Sequence, residues 1–189
     1  MKNLKLFLLS GICLFVLYGH SMNNPDSVKN GQEQFFLERY YEIKDTYKDL
    51  DDLYGSYASS NHTLVLFIER YHQIKAAYPE LKKIYGNYAA SLYSIEDFIK
   101  RYFEIKEVYP KWKDLHGLYA GSPHSLEEFV KRYNAVKDSD KTLALYFGNF
   151  AASTNTLNEF SARFYLIRAS HPGVKTAGDY AGSTHRLAK

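Results

Sequence analysis

The chain has 189 residues, 46% hydrophobic and 16% aromatic, with 24 Lys+Arg against 21 Asp+Glu. That near balance leaves no basic stripe of the kind nucleic-acid binding requires, so no nucleic-acid partner is expected. A single cysteine, Cys13, excludes internal disulfides and thiolate metal sites.

Residues 1–21 read as a signal peptide. Lys2 and Lys5 supply a positive start, Leu6 to Tyr18 an almost unbroken apolar stretch, and Gly19-His20-Ser21 small residues at −3 and −1 of a cut before Met22. Such a stretch makes about 20 Å of helix, short of the roughly 30 Å hydrocarbon core, so no span is expected in the mature chain. Removing 21 of the 189 residues leaves 168, with 22 Lys+Arg against 21 Asp+Glu and no thiol. A secreted or periplasmic location follows as the expectation. Asn61-His62-Thr63 fits the glycosylation acceptor pattern, which matters only in a eukaryotic host. Residues 22–31 read as a flexible segment.

From residue 32 to 183 the chain repeats. Arg-Tyr recurs at Arg39-Tyr40, Arg70-Tyr71, Arg101-Tyr102 and Arg132-Tyr133, then as Arg163-Phe164, each step 31 residues. Phe36, Phe67, Phe98, Phe129 and Phe160 keep the same step, as do Ile43, Ile74, Ile105, Val136 and Ile167. A glycine-x-aromatic-alanine unit begins at Gly55, Gly86, Gly117 and Gly148, and a fifth at Gly178 arrives one residue early.

Each unit divides into a long and a short helix. The long one is clearest from Ser94 to Tyr109: Ser94 caps it, and Ile95, Phe98, Ile99, Tyr102 and Ile105 form one apolar face. Ser125 with Glu128 suggests a capping box, and Thr63 and Thr156 share the cap column. Pro110, like Pro79 and Pro172, ends the long helix and opens a short one, about Lys111 to Ala120. Neither helix is stable alone, because isolated helices below about 12–15 residues are marginal in water. The expected fold is therefore all-α, an αα-hairpin repeat solenoid of about five units, with a closed helical bundle as the alternative. His171-Pro172-Gly173 and the polar end, including the tail 184–189, read as a C-terminal cap.

Phased from Pro110, with Trp112-x-x-Leu115, Gly117 and Tyr119 ahead of Phe129, Tyr133 and Val136, the unit loosely resembles a tetratricopeptide-type repeat. Its period is 31 rather than that family's 34. The resemblance implies a groove for a protein or peptide, no cofactor and no catalysis.

Two columns are candidate binding residues. Arg39, Arg70, Arg101, Arg132 and Arg163 lie about 60° to one side of the apolar face on a wheel of 100° per residue. They either stack on rings and bond helix-end carbonyls, or form a guanidinium ladder for an acidic polymer or peptide. Tyr54, Tyr85, His116 and Phe147 vary in type while staying aromatic, and would suit sugar or peptide stacking if they line the groove. The histidines show no i, i+4 pair, and no nucleophile motif occurs, so neither a metal nor a catalytic site is expected. The functional expectation is an exported, non-catalytic repeat protein that binds a protein or peptide. Glycan or cell-envelope binding and self-assembly are the alternatives.

Overall fold

The computed structural model describes residues 35–188. The signal segment, Cys13, the 22–31 segment, the expected helix start near Gln32 and Lys189 lie outside the described residues.

Among the described residues ten α-helices alternate long and short. The long ones are α1 (Phe36–Thr46), α3 (Leu64–Ala77), α5 (Ile95–Val108), α7 (Leu126–Ser139) and α9 (Leu157–Ser170). The short ones are α2 (Tyr54–Ser59), α4 (Tyr85–Ala90), α6 (His116–Gly121), α8 (Phe147–Ala152) and α10 (Ala177–Gly182). The cap column works as its residue types require. The Thr63, Ser94, Ser125 and Thr156 hydroxyls each accept the third helical amide, which has no partner within its own helix. The reciprocal capping box is seen at Thr156 and Glu159 rather than at Ser125.

The short helix of the third unit begins at His116, not Lys111. Residues 110–115 make successive tight turns, with the Trp112 amide on the Tyr109 carbonyl (3.0 Å) and the Leu115 amide on the Trp112 carbonyl (2.8 Å). Proline therefore marks the turn between the helices and not the first turn of the short one. The first, second and fourth units have a 3₁₀ segment in this place, at Asp51–Leu53, Lys82–Ile84 and Lys141–Tyr146.

Each short helix packs against the long helix of its own unit and against the short helices of both neighbours, and α10 packs against α2. The hairpin array is thus closed. Five short helices form an inner ring, and five long helices surround it.

The seam between first and last units repeats the contacts made inside the chain. Phe36 meets Tyr180 edge-on at 5.3 Å, as Tyr57 meets Phe67 at 5.3 Å and Tyr88 meets Phe98 at 5.4 Å. The tail is the seam and not a cap: the Phe36 and Leu37 amides donate to the Arg186 and Leu187 carbonyls at 2.7 and 3.0 Å. The reason is its register. Thr184-His185 occupies the place that Asn61-His62 has in the first unit, where the chain crosses to the next hairpin.

The phenylalanine and isoleucine columns are fully buried at all ten positions, each worth about 1.5–3 kcal/mol of apolar transfer. The inner ring depends on glycine. A Cβ on Gly178 would fall 2.5 Å from the Tyr146 ring, and one on Gly148 2.6 Å from Leu115. Glycine there lets neighbouring short helices approach closely. Among the described residues no helix is long and apolar enough to cross a membrane.

Candidate functional site

The arginine column faces the protein. In every unit one guanidinium Nη2 donates to the carbonyl of the aromatic residue in the following short helix: Tyr57, Tyr88, Tyr119, Phe150 or Tyr180, at 2.9–3.1 Å. It also donates to a loop carbonyl just beyond, at His62, Tyr93, His124, Asn155 or His185, at 2.6–2.7 Å. The same guanidinium lies over the ring of that aromatic residue at 4.2–4.4 Å. The five arginines therefore cap the C-terminal ends of five short helices, where carbonyls otherwise lack donors. Burial pushes the guanidinium pKa of Arg39, Arg70, Arg132 and Arg163 down.

The second column is equally internal. Tyr54, Tyr85, His116 and Phe147 are all buried, and each sits edge-on to the tyrosine beside its unit's arginine at 5.6–5.9 Å. Tyr54 Oη, Tyr85 Oη and His116 Nε2 bond the carbonyls of Tyr47, Tyr78 and Tyr109, closing the ends of the long helices. The fifth unit has Ala177 in this column, and Tyr146 of the fourth unit fills the space against Phe164 at 4.7 Å. Both columns are taken up in these internal contacts, and only the edges of His116 and Phe147 border surface depressions.

Between the short helices lies a partly open axial cavity of about 190 Å³, lined by all five of them. At one level stands the residue after each ring glycine: Ser56, Asn87, Leu118, Asn149 and Asp179. At another level stand five serines, Ser60, Ser91, Ser122, Ser153 and Ser183. Each serine hydroxyl donates to the aromatic carbonyl three residues back at 2.9 Å. It also accepts from its unit's arginine at 3.1–3.5 Å. Among the described residues Asp179 is the only charged one on the cavity wall. Its Oδ1 accepts from Asn149 Nδ2 at 3.1 Å, and its Oδ2 lies against Gly55 with no donor reaching it among the described residues. Burial, with no nearby cation to offset it, pushes the carboxyl up to about 6.

A further column links each unit to the next. His62, Tyr93, His124, Asn155 and His185 each reach the carbonyl of the next unit's serine, at 2.7–3.2 Å, and His185 does so to Ser60 across the seam. These five residues share a donor but not a residue type, so identity-based columns do not reveal them.

The outer wall departs from the repeat at Leu145. Asp52, Lys83 and Asp114 occupy a charged column whose fourth member is Leu145, 88% exposed, with Ala144 replacing Asp51, Lys82 and Lys113. Leu145 borders two surface depressions, one shared with Tyr165 and Arg168 and one with Trp112 and Leu115. Tyr165 and Leu166 are about half exposed. Among the described residues no group of three His, Cys, Asp or Glu is placed to hold a metal.

Compared with protein-family models, curated proteins and solved structures, the chain matches none.

Proposed function

We propose that this is an exported, non-catalytic ring that binds a protein or peptide through its outer wall around Leu145. The observation that carries the reading is the exposed leucine in a column otherwise charged. Contacts common to every unit hold a repeat fold together, whereas a feature of one unit is not needed for that purpose. An exposed leucine with Ala144 and Tyr165 beside it is the composition of an interface centre. The tetratricopeptide likeness, with its implied protein or peptide partner, supports the same reading, and the apolar stretch at residues 6–18 supports export. Because the array is closed, its concave side is the small axial cavity. The binding surface is therefore assigned to the outer wall and not to an open groove.

The experiment uses Leu145→Asp, which restores the charge usual in that column. Wild type and variant are exposed to secreted proteins of the producing cell, and any captured protein is purified and titrated against both. The reading requires a partner bound by wild type and lost in the variant. Equal binding to both, or no partner at all, contradicts it.

A second reading, glycan binding, is favoured by Tyr41, Phe103 and Tyr165. These half-exposed rings share one column of the long helices in the first, third and fifth units. Retention on a polysaccharide column that is unaffected by Leu145→Asp but lost on replacing these rings would favour it.

A further inference from the structure

The axial cavity is independent of the outer wall, and nothing in the packing of the ring requires a charge inside it. In the column that follows the ring glycine, the five units carry serine, asparagine, leucine, asparagine and aspartate. Four of these are neutral. The fifth, Asp179, places a half-buried carboxylate on the wall of a cavity that is partly open to solvent, where a charge is less well hydrated than on the outer surface. Among the described residues there is no partner of opposite charge for it on that wall. Asp179 receives one amide hydrogen bond from Asn149, and among the described residues no donor or cation reaches its second oxygen, which faces the cavity's solvent.

The cavity wall narrows what can complete the site. An anion is unsuited: the five serine hydroxyls that look like donors already give their protons to the carbonyls of Tyr57, Tyr88, Tyr119, Phe150 and Tyr180. A divalent metal is unsuited too, because one carboxylate among neutral oxygens is a poor hard-cation cage. The space holds about six waters at roughly 30 Å³ each, more than a bare monovalent ion fills. Beside the polar groups stand the Leu118 methyls, Ala90 and Ala152, which favour a short hydrocarbon part. A free amino acid would bring its own carboxylate, and no cation on the wall is positioned to receive it.

We propose that the axial cavity binds a small primary ammonium ion with a short carbon chain. Asp179 supplies its counter-charge, and Ser56, Asn87 and Asn149 supply further oxygen acceptors. The apolar end of the ligand lies on Leu118.

The test titrates full-length protein at pH 7.5 with ethylammonium chloride and ethanolamine hydrochloride. Tetramethylammonium chloride and sodium chloride at matched ionic strength serve as controls, and binding is read by calorimetry and thermal shift. The variant is Asp179→Asn, which gives the fifth unit the residue already present in the second and fourth, so the ring is expected to fold. The primary amines should bind wild type, and affinity should fall roughly 10- to 100-fold in the variant, the usual loss of one charge-assisted hydrogen bond. Tetramethylammonium, which has no N–H donor, should bind far more weakly. Binding should also weaken as pH falls below about 6, where Asp179 takes up a proton. The proposal is overturned if neither amine binds wild type, if Asp179→Asn binds as well, or if the two control salts produce the same effect.

Discussion

His185 Nε2 donates to the Ser60 carbonyl at 2.8 Å, joining residues 125 positions apart. His62 makes the same bond to Ser91 at 2.7 Å, 29 positions away. The last unit therefore treats the first as its next neighbour. His185→Ala should cost about 1–3 kcal/mol by leaving a buried carbonyl unpaired, and His62→Ala should cost a similar amount. Chemical denaturation of both variants checks this, and a seam histidine without effect would mean the ring is not held there.

Burial pushes His62 and His185 down, with the Arg39 guanidinium acting on both in the same direction. Their folded values lie below the unfolded one near 6.5, so the unfolded chain takes up more protons in acid. Their contribution is complete above about pH 6.5 and is lost as pH falls. His185→Gln, which keeps a donor without the titration, should flatten the acid side of a stability–pH curve.

Asp179 works in the opposite sense. Its folded value of about 6 stands above its ordinary 3.8, so its contribution is complete below about pH 3.8 and is lost as pH rises through 6. Asp179→Asn should be increasingly more stable than wild type across that window, by on the order of 3 kcal/mol at the plateau. Parallel thermal melts from pH 4 to 7.5 without amine check the difference. A constant offset would contradict it.

Arg101→Gln removes bonds to the Tyr119, Ala120, Ser122 and His124 carbonyls and the contact over the Tyr119 ring. A loss of about 2–4 kcal/mol is expected, because several helix-end carbonyls lose their donor together. Arg101→Lys should recover only part of it, since a point charge cannot reach the same fork of acceptors. Equilibrium unfolding of the two variants distinguishes this capping role from an outward-facing one, which would leave stability intact.

Gly178→Ala puts a methyl 2.5 Å from the Tyr146 ring, which is itself held against Phe164. Overpacking of this kind usually costs about 1–3 kcal/mol. By contrast, Gly182→Ala should be nearly neutral, because Ala90 and Ala152 already occupy its column in other units. A thermal melt showing the reverse order would contradict the close approach of α8 and α10.

Much of this fold was legible in the sequence because each contact is made five times. Phe98 and Ile105 lie on one helical face, Ser94 has its cap geometry, and Arg101 recurs beside a ring and a helix end, so each column points to a repeated physical role. Closure was not legible. It depends on the angle between successive hairpins, which rests on sub-ångström matters such as how near Gly86 lets α4 approach Ser56. The mixed column His62, Tyr93, His124, Asn155 and His185 was missed because it preserves a reach and a donor but no residue type. Asp179 and Leu145 could have been found, as each departs from its own column. Tyr54 and its partners suggested a binding face because an aromatic column reads alike whether its rings look outward or, as here, close the ends of helices.

The closed ring is tested most directly at the amides of Phe36 and Leu37. They are the first two residues of α1, and in an open array their N–H groups would have no partner and would exchange with solvent at nearly free rates. In the ring they donate to the Arg186 and Leu187 carbonyls. Residue-resolved hydrogen exchange should show both protected by several orders of magnitude, and a chain ending at Ser183 should lose that protection. Fast exchange of both amides in the full chain would contradict the ring.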